Sequence, residues 1–192
     1  MKKYNLKKIC ILAVCILIII LVICRVSYVT KNARVPDLNV VPQGDSVVYK
    51  GLGYRIVDAA LWEYDYFFEQ NENLNRYKEE LIDNEIMLLV VEMEITKEGD
   101  NGYIDYYMPI KYFYGFNGVS PFMFADMNPS LVDGTFHSGD HIYVVYEIYK
   151  NSLLESQWSD VVNFQVEYRI LLGSYPEKNE LQITDIRRGG AE

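Results

Sequence analysis

The chain has 192 residues, with 18 basic and 27 acidic side chains and a formal charge of −9 at pH 7. Six of the basic residues lie in residues 1–31, which hold no acid; the remainder carries 12 basic and 27 acidic residues, a formal charge near −15. That surface repels nucleic acid and anionic headgroups, and it suits solubility or cationic partners.

Ile9 to Cys24 is a run of sixteen residues with no polar side chain beyond cysteine. At about 1.5 Å per residue it spans roughly 24 Å, and extension to Val29 brings it to roughly 32 Å, enough for a hydrocarbon core of about 30 Å. Lys8 and Arg25 can snorkel to the headgroups and Tyr28 suits the interface. Lys2, Lys3, Lys7 and Lys8 precede the run with no acid among them, so the positive-inside rule keeps the N-terminus in the cytoplasm and exports the rest. A cleaved signal peptide is the competing reading, but no small-x-small site follows the run. Val14 and Ile23 precede Cys15 and Cys24, where a lipoprotein signal would place a small residue. Cys10, Cys15 and Cys24 are the only cysteines, so the exported part uses no disulfide.

Residues 31–45, with Pro36, Pro42 and Gly44, read as a tether without periodicity. Val47 to Lys50 is a short apolar start. Tyr54 to Glu63 reads as a long strand whose alternation breaks near Asp58. Asn71 to Asp83 places Leu74, Tyr77, Leu81 and Ile82 at helical spacing and predicts one amphipathic helix. Ile86 to Thr96 reads as a central strand, its first half apolar on both faces. Glu98 to Gly102 is a turn. Tyr106 to Phe116 reads as a strand whose Pro109 demands an edge or a bulge, and Asn117-Gly118 turns again. Phe122 to Phe136 is irregular, and the Ser138-Gly139-Asp140 turn leads into a strand over Ile142 to Ile148. Val162 to Ile170 alternates cleanly and predicts a half-buried strand. Gly173 to Asn179 turns, Leu181 to Ile186 is the last strand, and the tail RRGGAE should fray.

Some seven short strands with regular turn signals predict a mainly β domain, an antiparallel sandwich. The arrangement resembles a family of small membrane-anchored proteins of Gram-positive bacteria that carry one extracellular Ig-like β-sandwich of immunoprotective type and unknown function. The resemblance rests on the lysine-flanked anchor, the strand Tyr54–Leu61, the apolar strand IMLLVVEMEIT, the aromatic strand ending in Asn117-Gly118, the Ser138-Gly139-Asp140 turn before HIYVVYEIY, and LQITDI. It implies an Ig-like fold and a non-enzymatic surface protein, and it supplies no functional residues.

The sequence holds few residue patterns that carry chemistry. His137 and His141 flank a turn, and no further histidine or exported cysteine exists to complete a zinc site. Asp126, Asn128 and Asp133, and likewise Asp100 and Asn101, depart from the EF-hand pattern and read as turn residues. There is no nucleophile elbow, P-loop or dinucleotide glycine pattern. Two aromatic clusters stand out: Trp62, Tyr64, Tyr66, Phe67 and Phe68, then Tyr103, Tyr106, Tyr107, Tyr112, Phe113, Tyr114 and Phe116. Rings beside acids can stack on sugars or hold cationic peptides, though aromatics more often fill a core and pack across strands.

The expected organisation is therefore a cytoplasmic tail 1–8, a transmembrane helix 9–29, a linker 30–45, an extracellular Ig-like β-sandwich 46–187 and a flexible tail 188–192. The expected function is a non-catalytic, single-pass membrane protein that binds a protein, peptide or cell-wall component, with no catalytic residue, cofactor, metal or nucleic-acid partner. Alternatives are a structural accessory of a membrane transporter or sensor, and an exported hydrolase acting through exposed acids.

Overall fold

The computed structural model describes residues 6–33, 37–78, 85–97, 104, 107–173 and 177–190. The chain divides into two compact units, Met1–Pro36 and Asp37–Glu192. In the first, helix α1 runs over Leu6–Asn32, three residues past the expected end. Among the described residues it is the one helix long and apolar enough to cross a membrane, by length and composition. A signal sequence has the same character.

The second unit is a mixture of helix and sheet. The described residues form ten strands in two sheets, β1 (Asp37–Val41), β2 (Ser46–Tyr49), β3 (Leu52–Glu63), β4 (Ile86–Lys97), β5 (Ile110–Tyr112), β6 (Gly115–Asn117), β7 (Asp140–Tyr149), β8 (Tyr168–Leu172), β9 (Glu177–Ile183) and β10 (Arg187–Arg188). One sheet is ordered β1-β9-β8-β5-β6 and the other β10-β3-β4-β7, with β2 also on β3. Two pairings, β1 with β9 and β10 with β3, are parallel, which corrects the expectation of a purely antiparallel domain. Leu52, Tyr54, Ile56, Leu89 and Val91 of the second sheet share a core with Ile110, Tyr168, Ile170, Leu181 and Ile183 of the first.

The strand β4 is central, as its composition requires. Leu89, Val91, Met93 and Ile95 face the inter-sheet core, while Ile86 and Leu88 belong to a second cluster on the opposite face. Helix α2 (Tyr64–Gln70), a 3₁₀ turn (Glu72–Tyr77) and helix α3 (Pro121–Met127) supply the cover for that face, through Tyr64, Phe67, Phe68, Leu74 and Met123. These aromatics recur at i, i+3 and i+4, so a sequence that looks like a continued strand buries them better as a helix.

Several local expectations are corrected. The segment 30–45 contains β1, so the linker is shorter than its prolines implied. The predicted helix Asn71–Asp83 is a 3₁₀ turn over Glu72–Tyr77 in its first half; Leu81 and Ile82 lie outside the described residues, as do the turn Glu98–Gly102 and Tyr103 and Tyr106. Tyr106 to Phe116 is not one strand, because the chain reverses at Phe113, at φ 48°, between β5 and β6. Pro109 falls just before β5 and needs no bulge there. The irregular stretch contains α3 and α4 (Pro129–Val132), each with proline in its first turn. The strand expected over Leu181 to Ile186 runs instead over Glu177–Ile183, and β10 follows it.

Most instructive is the alternating run Val162–Ile170. Its first residue ends helix α5 (Glu155–Val162), which buries Trp158 and Val161. The helix closes as a Schellman motif: Phe164 N–H donates to the Val161 carbonyl at 3.1 Å and Gln165 N–H to that of Asp160 at 2.8 Å. The residue in left-handed geometry is Phe164, at φ 61°, where glycine is usual, so no stop signal is visible in the sequence.

The long strand β7 ends the second sheet, and side-chain amides close its outer edge. Buried Asn128 donates to the Tyr143 carbonyl at 2.8 Å and accepts from the Tyr143 N–H at 2.7 Å. The Asn117 amide donates to the Glu147 carbonyl. Asn128→Leu leaves both Tyr143 groups without these partners; a loss of roughly 2–4 kcal/mol is expected in denaturant unfolding of the micelle-bound chain.

On the outer face of the first sheet, Glu180 is buried beneath cations. It accepts from Arg169 at 2.8 Å, with Lys178 at 2.7 Å and Lys111 at 3.6 Å. Burial pushes its carboxyl up, but hydrogen bonds from Lys178 and Arg169 and the charge of Lys111 outweigh it and hold the pKa at about 2. A depressed carboxyl stabilises the fold above its ordinary 4.5 and loses that contribution as pH falls toward about 2. Unfolding of Glu180→Gln should show a stability deficit at pH 7 that shrinks across this window.

Candidate functional site

The site grows from one extra residue in β3. Leu52, Tyr54 and Ile56 face the inter-sheet core, and so do Ala59 and Leu61. The parity of the strand changes because the register with β4 shifts between Ile56 and Asp58, a β-bulge that places Val57 out of pairing. Asp58, Ala60 and Trp62 are thereby turned to the outer face. The break in alternation near Asp58 is this bulge.

Register then assembles the neighbours. Asp58 lies opposite Glu92 of β4, and Glu92 opposite Tyr143 of β7. They sit in an open groove of about 480 Å³ whose walls include Asp58, Trp62, Glu92, Asp126, Tyr143 and Arg187. Each carboxylate there meets a cation or an imidazole. Asp58 pairs with Arg187 at 2.6 Å, Asp126 with Arg76, and Glu92 with His141 at 2.5 Å. Hydroxyls add to this, Tyr77 donating to Asp126 at 2.5 Å and Tyr143 to Glu92 at 3.3 Å. Burial, joined by Coulomb repulsion from Glu92, raises the pKa of the Tyr143 phenol.

The edge of the groove is lined by the chain's own C-terminal segment. Arg187 and Arg188 pair in parallel with Ala60 and Leu61. Gly189 N–H donates to the Leu61 carbonyl at 2.8 Å, and Arg188 reaches Glu63 at 3.3 Å. Trp62 and Tyr66 stack with centroids 5.9 Å apart. Gly189 lies against the Trp62 indole and Gly190 against the Tyr66 ring, so close that a Cβ on either would overlap the ring. The tail expected to fray is thus partly a strand. The Trp62 indole N–H is buried without a hydrogen-bond acceptor among the described residues.

The residues weighed from sequence scatter. His137 is exposed near Asp140 while His141 turns to Glu92, so the two rings have different partners. Asn128 is an edge cap, and Asp133 ends α4 at the surface. Among the described residues no three histidine, cysteine or acidic side chains are grouped to hold a metal; Asp100 and Asn101 lie outside them. Of the first aromatic cluster, Tyr64, Phe67 and Phe68 are core, and Trp62 and Tyr66 carry the tail. Of the second, Tyr112 is core, whereas Tyr107, Tyr114 and Phe116 are exposed. Arg187, Gly189 and Gly190 carry no sequence signal beyond being small or basic near a terminus.

No protein-family model, curated protein or solved structure matches this chain.

The pairs holding the tail lie at the surface, where one contributes about 0–1 kcal/mol. Asp58→Asn should therefore speed hydrogen exchange of the Gly189 amide by up to about fivefold, read by mass spectrometry of the C-terminal peptide.

Proposed function

We propose that this chain is a non-catalytic, membrane-anchored binding protein. In this reading α1 stays in the bilayer with its N-terminus in the cytoplasm. The two-sheet unit stands outside the cell as an Ig-like sandwich of the Gram-positive surface-protein type. Its ligand, a peptide or cell-wall component, carries positive charge and lies in the groove on the outer face of β3, β4 and β7.

The observation that supports this best is the pairing of the groove carboxylates. Asp58, Asp126 and Glu92 are each already met by Arg187, Arg76 and His141. Acceptors held in fixed positions by two arginines and an imidazole present a preset array to the donor groups of a ligand. The charge near −15 outside the anchor adds long-range attraction for a cation.

The test is titration of the full chain in neutral detergent with an arginine-rich peptide and a neutral peptide of equal length. Binding of the cationic peptide alone is expected, weakening as salt rises from about 0.1 M to 1 M and the Debye length falls from about 10 Å to about 3 Å. Equal binding of both peptides, or indifference to salt, overturns the reading.

A further inference from the structure

We propose that the flank of β3 from Asp58 to Glu63 receives an extended arginine-glycine segment of another protein, for which the chain's own Arg187–Gly190 is the displaceable resident. The inference rests on the reading of the groove as a cation site, and it names the ligand.

The resident shows what the flank accepts. Its backbone adds a short parallel strand opposite Ala60 and Leu61, extended by the bond from Gly189 N–H to the Leu61 carbonyl. This is recognition by strand addition, in which main-chain bonds supply general affinity and side-chain positions supply selectivity. Selectivity comes from two places. Arg187 brings both Nε, at 2.8 Å, and a terminal nitrogen, at 2.6 Å, to one oxygen of Asp58, and Arg188 reaches Glu63. Beyond them Trp62 and Tyr66 leave room for no side chain, and Gly190 sits at φ 75°, a conformation that suits glycine. The flank therefore reads two cations followed by two bare backbone residues.

The resident is also weakly held. Its strand is two residues long, and the side chains of Arg187 and Arg188 are 52% and 67% exposed. Its advantage is attachment: a covalently joined segment acts at an effective concentration in the millimolar range. A partner segment binds with an affinity reduced by the fraction of chains whose flank is open, so removing the resident raises that affinity.

The experiment uses full-length chain in detergent micelles and a fluorescent peptide with Arg-Arg-Gly-Gly at its centre. Four proteins are compared: the wild type, a chain ending at Ile186, the double variant Gly189→Ala with Gly190→Ala, and the shortened chain carrying Asp58→Asn and Glu63→Gln. Peptide affinity is expected to rise about tenfold on shortening, the gain when a resident filling nine-tenths of the flanks is lost. The glycine variant, which retains every residue of the tail's length, should show a gain in the same direction. The two acid substitutions should abolish the gain, and a peptide with leucine at both glycine positions should bind as weakly to the shortened chain as to the wild type. Salt-sensitive binding equal in the wild type, the shortened chain and the glycine variant overturns this inference and leaves the groove reading standing. Absence of binding to every protein overturns both. A wild-type dimer that dissociates on shortening identifies the occupant as the tail of a second copy and overturns the partner segment.

Discussion

A strand has a period of two, and the outer surface of this domain depends on breaking it once. With uninterrupted alternation from Leu52, the side chains of Asp58, Ala60 and Trp62 would enter the space between the sheets. An aspartate and an indole there would demand partners that a core of isoleucine, leucine and tyrosine does not supply. The unpaired residue at Val57 inverts the parity, so alanine and leucine continue the core while the polar series emerges beside Glu92 and Tyr143. The Asp58–Arg187 pair, the stack of Trp62 on Tyr66 and the docked tail all follow from that inversion.

The strand that accepts the bulge must itself be fixed, and β4 is fixed by burial on both sides. Its inner residues face the other sheet, while Ile86 and Leu88 are roofed by short helical segments. One element thereby joins two apolar clusters. A sheet covered on one side only in part leaves a step where the cover ends, and the groove lies at that step. The helical cover supplies Asp126 from α3, the bulged strand supplies Asp58, and β4 supplies Glu92.

The parts legible in the sequence are those governed by periodicity over many residues. The apolar helix, the doubly buried strand, the turn before β7 and the irregularity at Asp58 all announce themselves in that way. Short elements do not. The helix α2 follows β3 without a break in apolar character, and its i, i+3, i+4 spacing is visible only once a second cluster is known to need it. The segment Val162–Ile170 satisfies a strand pattern while its first residue ends a helix, because a phenylalanine occupies the position where glycine marks a stop. The groove was illegible for a different reason. It is made by register between strands distant in sequence and by a tail whose arginines and glycines mean little until Asp58, Glu63, Trp62 and Tyr66 are placed beside them. Aromatic excess pointed to the right stretch, and packing alone separates rings that fill the core from rings that carry the tail.

The asparagine that closes one end of the β7 edge has a chemical liability built into it. Asn117 is followed by glycine, and its side-chain oxygen accepts from the Gly118 N–H at 2.9 Å. An unhindered nitrogen beside an amide carbon is the arrangement through which asparagine sheds ammonia and turns into aspartate or its β-linked isomer. The product has only acceptors to offer the Glu147 carbonyl. Slow ageing at one residue would thus uncover a β-strand margin that the young molecule keeps shielded.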